Sequence, residues 1–413
     1  MAFLFLKKLR MSSRRYALVI FIAIGFILGA ILGAIIGKPA ANLRPLGDFF
    51  VRLLRMIVTP LTIVTVSAAI ARIADLKRLG KIVLLMLVIF LITSFFAASL
   101  GLITGLVFSP GEGLGLKPPP DYKPPAPATA ETVILSLIPL NFVDIFGVAG
   151  LLQAIVFSIL FGIAVALMGE ANKPIVKALD ALSGAMIKLT LIIMWYAPIG
   201  VFGYGAWLFG TYGATVVGAY AKLIGANYLM AIIYWLVFYS LIVKISGRNP
   251  LDYWRVIIEP ITVAFTTRSS AATLPINLRA AERLGVPESI RNIVLPVGCT
   301  VNMDGTALYQ ALCALFIAQA FGISISPALY PLIITMSMLG SVATAAIPGG
   351  GLIMLAMVLA AAGLPLEGIA LIVAVDPILD ALRTSINASG DTAYSTLMSR
   401  IFEGPNWWAK NKS

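Results

Sequence analysis

The feature that most constrains this chain is a run of twenty-two residues, 16–37, without a single charged side chain. About twenty such residues cross the hydrocarbon core of a bilayer as one helix. Lys7, Lys8, Arg10, Arg14 and Arg15 precede the run, as basic residues precede an export signal. A signal core is only about 7–15 residues long, however. More apolar stretches follow, near 49–71, 82–109, 132–169, 185–211, 214–243, 260–278, 289–322, 328–363 and 366–399. The chain is 60% hydrophobic and 12% charged over 413 residues, against about 25% charged in soluble domains. The pattern predicts an all-α polytopic membrane protein.

The net charge of +12 would point to nucleic acid if the basic residues formed one surface patch. They gather instead in short junctions: the N-terminus, 72–81, 173–177, 244–255, 279–291 and 400–412. That is the positive-inside bias. It predicts a multi-pass protein of the cell membrane, in contact with lipid, with both termini cytoplasmic and no nucleic-acid partner. Cys299 and Cys313 have no spacing suited to a disulfide framework or a zinc site. The chain has no histidine, which excludes histidine triads and imidazole proton relays. Ser269 and Ser270 have no base beside them, so no enzyme is expected.

The zigzag of basic and non-basic junctions breaks twice. Segment 260–278 has basic flanks on both sides, and 328–363 has none on either side. Each therefore returns to the face it came from, which predicts two oppositely oriented re-entrant hairpins. Their middles fit: Thr266 to Thr273 is rich in hydroxyls, and Ser341 to Gly351 carries Pro348 and a triple glycine. Irregular backbone at membrane depth persists only beside protein or a watery cavity, and paired interrupted segments point to a transporter's binding site. Segment 110–131, rich in proline (Pro118, Pro119, Pro120, Pro124, Pro125 and Pro127), reads as an extended external linker. In the first span Gly25, Gly29, Gly33 and Gly37 form a small-residue stripe suited to close helix packing.

Three constellations carry chemistry. Asp376, Asp380, Arg383, Thr384, Asn387 and Asp391 recur at helical spacing, so one helix face holds them all. An ionised residue at the bilayer centre costs about 2.5–3.5 kcal/mol, so this face needs an interior site. A purely structural network, with Asp380 and Arg383 paired i,i+3, is the alternative. Read functionally, Arg383 suits a substrate carboxylate and Asp380 an ammonium group, while Asn387 and Asp391 offer hard oxygens to a small cation such as sodium. The second constellation, Asn302-Met303-Asp304-Gly305-Thr306 in an apolar span, reads as an unwound helix with oxygens for a cation. Thr93 and Ser94 are the third, and taken alone they are ordinary membrane hydroxyls.

These motifs resemble the glutamate transporter family of dicarboxylate/amino acid:cation symporters, and within it the archaeal sodium-coupled aspartate transporters. The resemblance runs from about residue 16 and rests on Thr267-Arg268-Ser269-Ser270, the run Asn302 to Gln310, Pro348-Gly349 and the 380–391 face. It implies a homotrimeric elevator-type transporter of eight transmembrane helices and two hairpins, with no organic cofactor. Helices 1 and 2 (1–77) and 4 and 5 (132–212) would form the scaffold and trimer contact. Helix 3 (78–109) and residues 213–413, with helices 6 to 8 and both hairpins, would form the transport domain. By similarity, substrate touches Ser270, Thr306, Ile347, Gly351, Asp380, Arg383, Thr384 and Asn387. One sodium takes Gly298, Asn302, Asn387 and Asp391. A second takes Thr300, Met303, Ser341, Val342 and Thr344. A third takes Phe90, Thr93, Ser94, Asn302 and Asp304.

The sequence departs from the family pattern at Phe90, Ala271, Ala272, Cys299 and Ala346. Gln310 stands where proton-coupled relatives carry a glutamate, and glutamine holds no titratable proton. Asp380 together with Arg383 favours aspartate or glutamate as substrate with sodium as the coupling ion. A proton-coupled acidic amino-acid carrier or a C4-dicarboxylate transporter is the alternative. A dedicated channel would need a repeated filter or charge ring, and none is visible.

Overall fold

A backbone surrounded by hydrocarbon satisfies its polar groups within its own segment, which favours the helix. The computed structural model describes residues 20–75, 81–118, 138, 139, 141–146, 151–213, 215–344, 346 and 349–409, and every regular element among them is helical. In chain order these are α1 (Ile20–Ile36), α2 (Arg44–Asp75), α3 (Lys81–Phe108), α4 (Leu151–Leu167), α5 (Lys173–Met194) and α6 (Ala197–Tyr212). The helix α7 (Thr215–Ile245) contains a π-helical turn at Tyr234–Tyr239. Then come α8 (Pro250–Thr267), α9 (Ser270–Arg283), α10 (Glu288–Val301), α11 (Asp304–Ala320), α12 (Tyr330–Ala343) and α13 (Gly350–Ala361). The short α14 (Ile369–Val373) leads to α15 (Asp376–Glu403). Most of the proline-rich linker lies outside the described residues.

Among the described residues, three helical stretches are long and apolar enough to cross a membrane: Leu84–Phe108, Thr215–Ile245 and Glu288–Ala320. The α5–α6 pair, bent by 48°, makes a fourth. The expected eight are not all visible by that measure. α15 has 28 residues, ample length, but its polar face lowers its hydropathy, and in α2 only Thr59–Ala68 is strongly apolar.

Two groups of helices pack side by side. In one, α2 lies against α4, α5 and α6, and α1 lies on α6. A Cβ at Gly25, Gly29 or Gly33 would run into the carbonyl oxygens of Pro198, Phe202 and Ala206. The small-residue stripe thus has its partner, a row at the same four-residue spacing on α6. Gly37, with φ 66° and open space around it, ends the helix. In the other group α3 lies along α11, and α8, α9, α10 and α11 surround α15. Two helical hairpins, α8–α9 and α12–α13, belong to this second group, which meets the first where α12 and α13 touch α2, α13 touches α4, and α14 touches α6.

The usual inside–outside pattern is inverted. Leu84, Ile92 and Phe96 on α3 and Leu229, Val237 and Leu241 on α7 are exposed, while every residue of α15 from 379 to 396 is buried. Apolar residues facing outward and polar ones facing inward mark a protein whose solvent is lipid. Gly29→Ala is expected to push α1 off α6 and cost about 1–3 kcal/mol, read as a lower melting temperature in detergent. Gly184→Ala, where no atom stands within 4 Å of the added carbon, is expected to leave melting unchanged or raise it slightly.

Candidate functional site

The first hairpin turns because α8 stops at Thr267, Arg268 takes a left-handed conformation at φ 51°, and Ser269 is extended. Ser269 Oγ then caps α9 by accepting from the Ala272 N–H at 3.3 Å. Hydroxyl caps of this kind fill an otherwise orphaned helix donor. The second hairpin leaves α12 through an extended Thr344 and starts α13 behind Gly349, at φ 76°. The tips meet: Ser269 Oγ donates to the Ala346 carbonyl at 3.1 Å. Opposite them, Asn302 and Met303 leave helical geometry between α10 and α11, as the Asn-Met-Asp-Gly-Thr motif predicts.

Between the tips, this break and α15 lies a small pocket. Ser270, Thr306, Gly351, Asp380, Arg383, Thr384 and Asn387 line it, together with Arg268, Met303, Thr344 and Ala346. Every substrate residue implied by the resemblance is therefore brought together except Ile347, which lies outside the described residues. Asp380 and Arg383 are only 2% and 3% exposed, so the ionic face points inward.

Arg383 is held from three sides. Its Nε donates to Asp380 Oδ1 at 3.1 Å and its Nη1 to Asp376 Oδ1 at 3.1 Å. The guanidinium carbon sits 4.1 Å from the centre of the Tyr309 ring. Nη2 lies 2.7 Å from Asp380 Oδ1 but is off-line for a hydrogen bond, so that contact is an ion pair alone. Asp380 also accepts from Thr384 Oγ1 and from the Gly349 N–H, each at 3.0 Å. The i,i+3 pair of the structural alternative is thus made, and it forms part of the pocket wall. A Cβ on Gly351 would stand 2.9 Å from Arg383 Cζ, which explains a glycine there.

The cation residues fall into three places. Near Asp391, Asn302 Nδ2 donates to Oδ1 at 2.9 Å, and Gly298 approaches so closely that a Cβ would stand 2.5 Å from the same oxygen. The Oδ1 atoms of Asn302 and Asn387 are buried without a donor. The Asn302 amide lies beside the Asp391 carboxylate, and a donor-less amide oxygen there is what a hard cation takes as a ligand, so Asn302 and Asp391 fit sodium. In the second set Met303 and Thr344 line the pocket, and Thr344 N–H donates to the Ser341 carbonyl at 3.2 Å. Thr300 Oγ1 donates to the Val297 carbonyl of its own helix at 3.0 Å. In the third, Thr93 and Ser94 donate to Asp304 Oδ1 at 3.1 and 3.0 Å, and Thr93 is also 3.1 Å from the Phe90 carbonyl. Among the described residues no three His, Cys, Asp or Glu side chains converge, so the donors are mixed carboxylate, amide, hydroxyl and carbonyl oxygens.

Sequence reasoning missed several participants. Tyr234, Tyr239 and Tyr394 all donate to Asp304 Oδ2. Tyr309 donates to Asp376 Oδ1 at 2.8 Å, and Gln310 Nε2 to the Gly351 carbonyl at 3.1 Å. Asp376 and Gln310 were already named from the sequence, and Tyr309 sits in the quoted run Asn302 to Gln310, which was its available signal. The three tyrosines had none, because their partner lies 65 to 90 residues away in the chain.

Over residues 18–401 the sequence matches the sodium:dicarboxylate symporter family. The chain belongs to that family. Among its relatives, the C4-dicarboxylate transport protein of Brucella anthropi is 36% identical over 368 residues, 87% of this chain and 83% of the relative. The protein of the same name from Rhizobium johnstonii is 35% identical over the same shares. The proton/sodium-glutamate symport protein of Bacillus caldotenax is 33% identical over 372 residues, 88% of each chain. Family and apolar helices together make this an integral membrane protein of a transporter family whose members are named for dicarboxylates and glutamate.

Removing one partner of a buried ion pair leaves an uncompensated charge and costs about 3–5 kcal/mol. Asp376→Ala is accordingly expected to lower the melting temperature well below that of Asp376→Asn, which keeps an acceptor for Arg383 and Tyr309. Thermal unfolding of the two purified variants checks the difference.

Proposed function

We propose that this chain takes up acidic amino acids, L-aspartate and also L-glutamate, coupled to sodium ions. The observation that carries the reading is the adjacency of Arg383 and Asp380 on one buried wall of the pocket between the hairpin tips. Guanidinium presents a fork of donors matched to a carboxylate, and the aspartate presents a fixed anion for the ammonium group. An arginine without that aspartate would suit plain dicarboxylates, and an aspartate without the arginine would suit neutral amino acids. Ser270, Thr306, Ile347, Gly351, Thr384 and Asn387 complete the substrate contacts in this reading. Bound substrate would exchange its carboxylate and ammonium groups for the internal Asp380–Arg383 pair.

Sodium coupling is supported by the buried carboxylates Asp304 and Asp391, the orphaned oxygen of the Asn302 amide that is bonded to Asp391, and Gln310 in place of a titratable residue. An acidic amino acid carries net −1, so three sodium ions make each cycle carry +2. That contributes about 4.6 kcal/mol per 100 mV of inside-negative potential. The proposal takes α8–α9 and α12–α13 as oppositely inserted re-entrant hairpins among eight transmembrane helices. It takes α3 and α7–α15 as an elevator that slides against α1, α2 and α4–α6 in a homotrimer. The names of the relatives favour a second reading, proton-coupled or C4-dicarboxylate transport, and one experiment separates the two.

In proteoliposomes, labelled L-aspartate uptake is expected to need an inward sodium gradient and to be displaced by L-glutamate more strongly than by succinate. Uptake driven equally by a proton gradient without sodium decides for the second reading. Arg383→Ala is expected to abolish aspartate uptake, whereas Asp380→Ser is expected to lose aspartate at least 100-fold while retaining succinate. Full aspartate transport by Arg383→Ala overturns the assignment.

A further inference from the structure

Asp304 is fully buried, and its carboxylate is surrounded by five hydroxyls from three elements. Thr93 and Ser94 of α3 address Oδ1. Tyr234 and Tyr239 of α7 and Tyr394 of α15 address Oδ2, at 3.0, 3.2 and 2.6 Å. A carboxylate offers about two lone pairs per oxygen. Three hydroxyls therefore share two acceptor positions on Oδ2, and one of them is surplus.

The surplus donor is identified by its alternatives. The Tyr239 hydroxyl is 3.2 Å from Oδ2 and 3.2 Å from the Ile386 carbonyl of α15. Its single proton has two acceptors at equal distance. The other acceptor near Tyr234, the Thr93 carbonyl, is farther away at 3.4 Å. Tyr394 makes the shortest of the three bonds to Asp304, at 2.6 Å. Ile386 immediately precedes Asn387, a wall of the pocket, so the second acceptor lies on the backbone that carries the substrate face.

The local fold was shaped to make this arrangement. In an α-helix, at 100° per residue, positions five apart point about 140° away from each other. In a π-helical turn the hydrogen bond runs from i to i+5, which returns residues five apart to one face. Tyr234 and Tyr239 bound the single π-helical turn described in this chain, and their rings meet edge to face at 5.8 Å. Tyr239 also packs edge to face on Tyr394 at 5.7 Å. Gly390 makes the space, since a Cβ there would collide with the Tyr239 hydroxyl.

We propose that Tyr239, presented by the π-helical turn of α7, is a positioning residue that switches its hydrogen bond between the Asp304 carboxylate and the Ile386 carbonyl. A sodium ion among Thr93, Ser94 and the Phe90 carbonyl, on the Oδ1 side, offsets the carboxylate charge that holds the tyrosine protons. Tyr239, whose two acceptors are equally distant, then turns to the Ile386 carbonyl while keeping a hydrogen bond. The exchange reports occupancy at Asp304 to the α15 backbone beside Asn387. It rests on the reading of Asp304 as a sodium ligand. The exchange trades a hydrogen bond to a charged acceptor for one to a neutral acceptor, so Tyr239 opposes sodium binding and its removal favours it.

The test is a sodium titration of the melting temperature of purified protein in detergent, without substrate, because a ligand of the folded state raises its stability. Tyr239→Phe is expected to lower the half-saturating sodium concentration about fivefold, the difference between a charged and a neutral hydrogen bond. Tyr228→Phe, on the same helix with its hydroxyl 2.7 Å from the Ile378 carbonyl, is expected to leave it unchanged. An unchanged or higher half-saturation in Tyr239→Phe overturns the switch, and so does a uniform drop in melting temperature at all sodium concentrations. Asp304→Asn is run alongside. If it keeps the full sodium response, the cation reading of Asp304 fails; if it loses the response while Tyr239→Phe does not move, only the switch fails. Should Tyr239→Phe not fold, sodium-induced infrared difference spectra of wild-type protein with ring-labelled tyrosine decide. A shift of the tyrosine C–O band is expected, and its absence overturns the proposal.

Discussion

The interaction on which the rest of the structure depends is the buried ionic contact of Arg383 with Asp376 and Asp380. A guanidinium and two carboxylates on one helix face have no place against lipid. Each neighbour of α15 answers that demand. Tyr309 of α11 lies under the guanidinium and donates to Asp376, Gly349 of the second hairpin donates to Asp380, and Gly351 makes room for Arg383. The first hairpin closes the opposite side through the Ser269–Ala346 contact. The tips, the break in α10–α11 and the last helix are thus different parts of one solution to a solvation problem.

The same reasoning accounts for the oxygens around the pocket. Continuous helices would have spent their backbone groups on themselves. The break at Asn302 and Met303 and the extended Thr344 free backbone oxygens, and the side chains of Asn302, Asp304, Asn387 and Asp391 add to them. Such a set suits hard cations better than transition metals. It also places Asp304 and Asp391 on opposite sides of the break, with Asn302 bonded to one of them and adjacent in space to residues that face the other. A site in which every carboxylate already has partners exchanges contacts when it binds. Its affinity then depends on how cheaply those partners can be satisfied elsewhere.

Much of this was legible in the chain. Uncharged runs with basic junctions require membrane helices, and the four-residue recurrence from Asp376 to Asp391 requires one polar face on the last of them. The Asn-Met-Asp-Gly-Thr interruption and the hydroxyl-rich Thr-Arg-Ser-Ser turn mark where helices stop. The glycine stripe of α1 announced a close packing face but not its partner. That partner is a row of backbone carbonyls on α6, and backbone atoms leave no trace in a sequence.

What the sequence determined by itself was therefore local: which segments are helical, where they break, and which faces are polar, because propensity, charge and period act over a few residues. The tertiary structure decided what those faces meet. Only packing brings Thr93 and Ser94 to Asp304, sets Tyr309 under Arg383, and uses a π-helical turn to aim two tyrosines at one carboxylate. Hydrogen-bond and charge partners in a membrane interior are chosen through space. A group that cannot turn to water is satisfied by whatever the fold carries to it, however far away that lies in the chain.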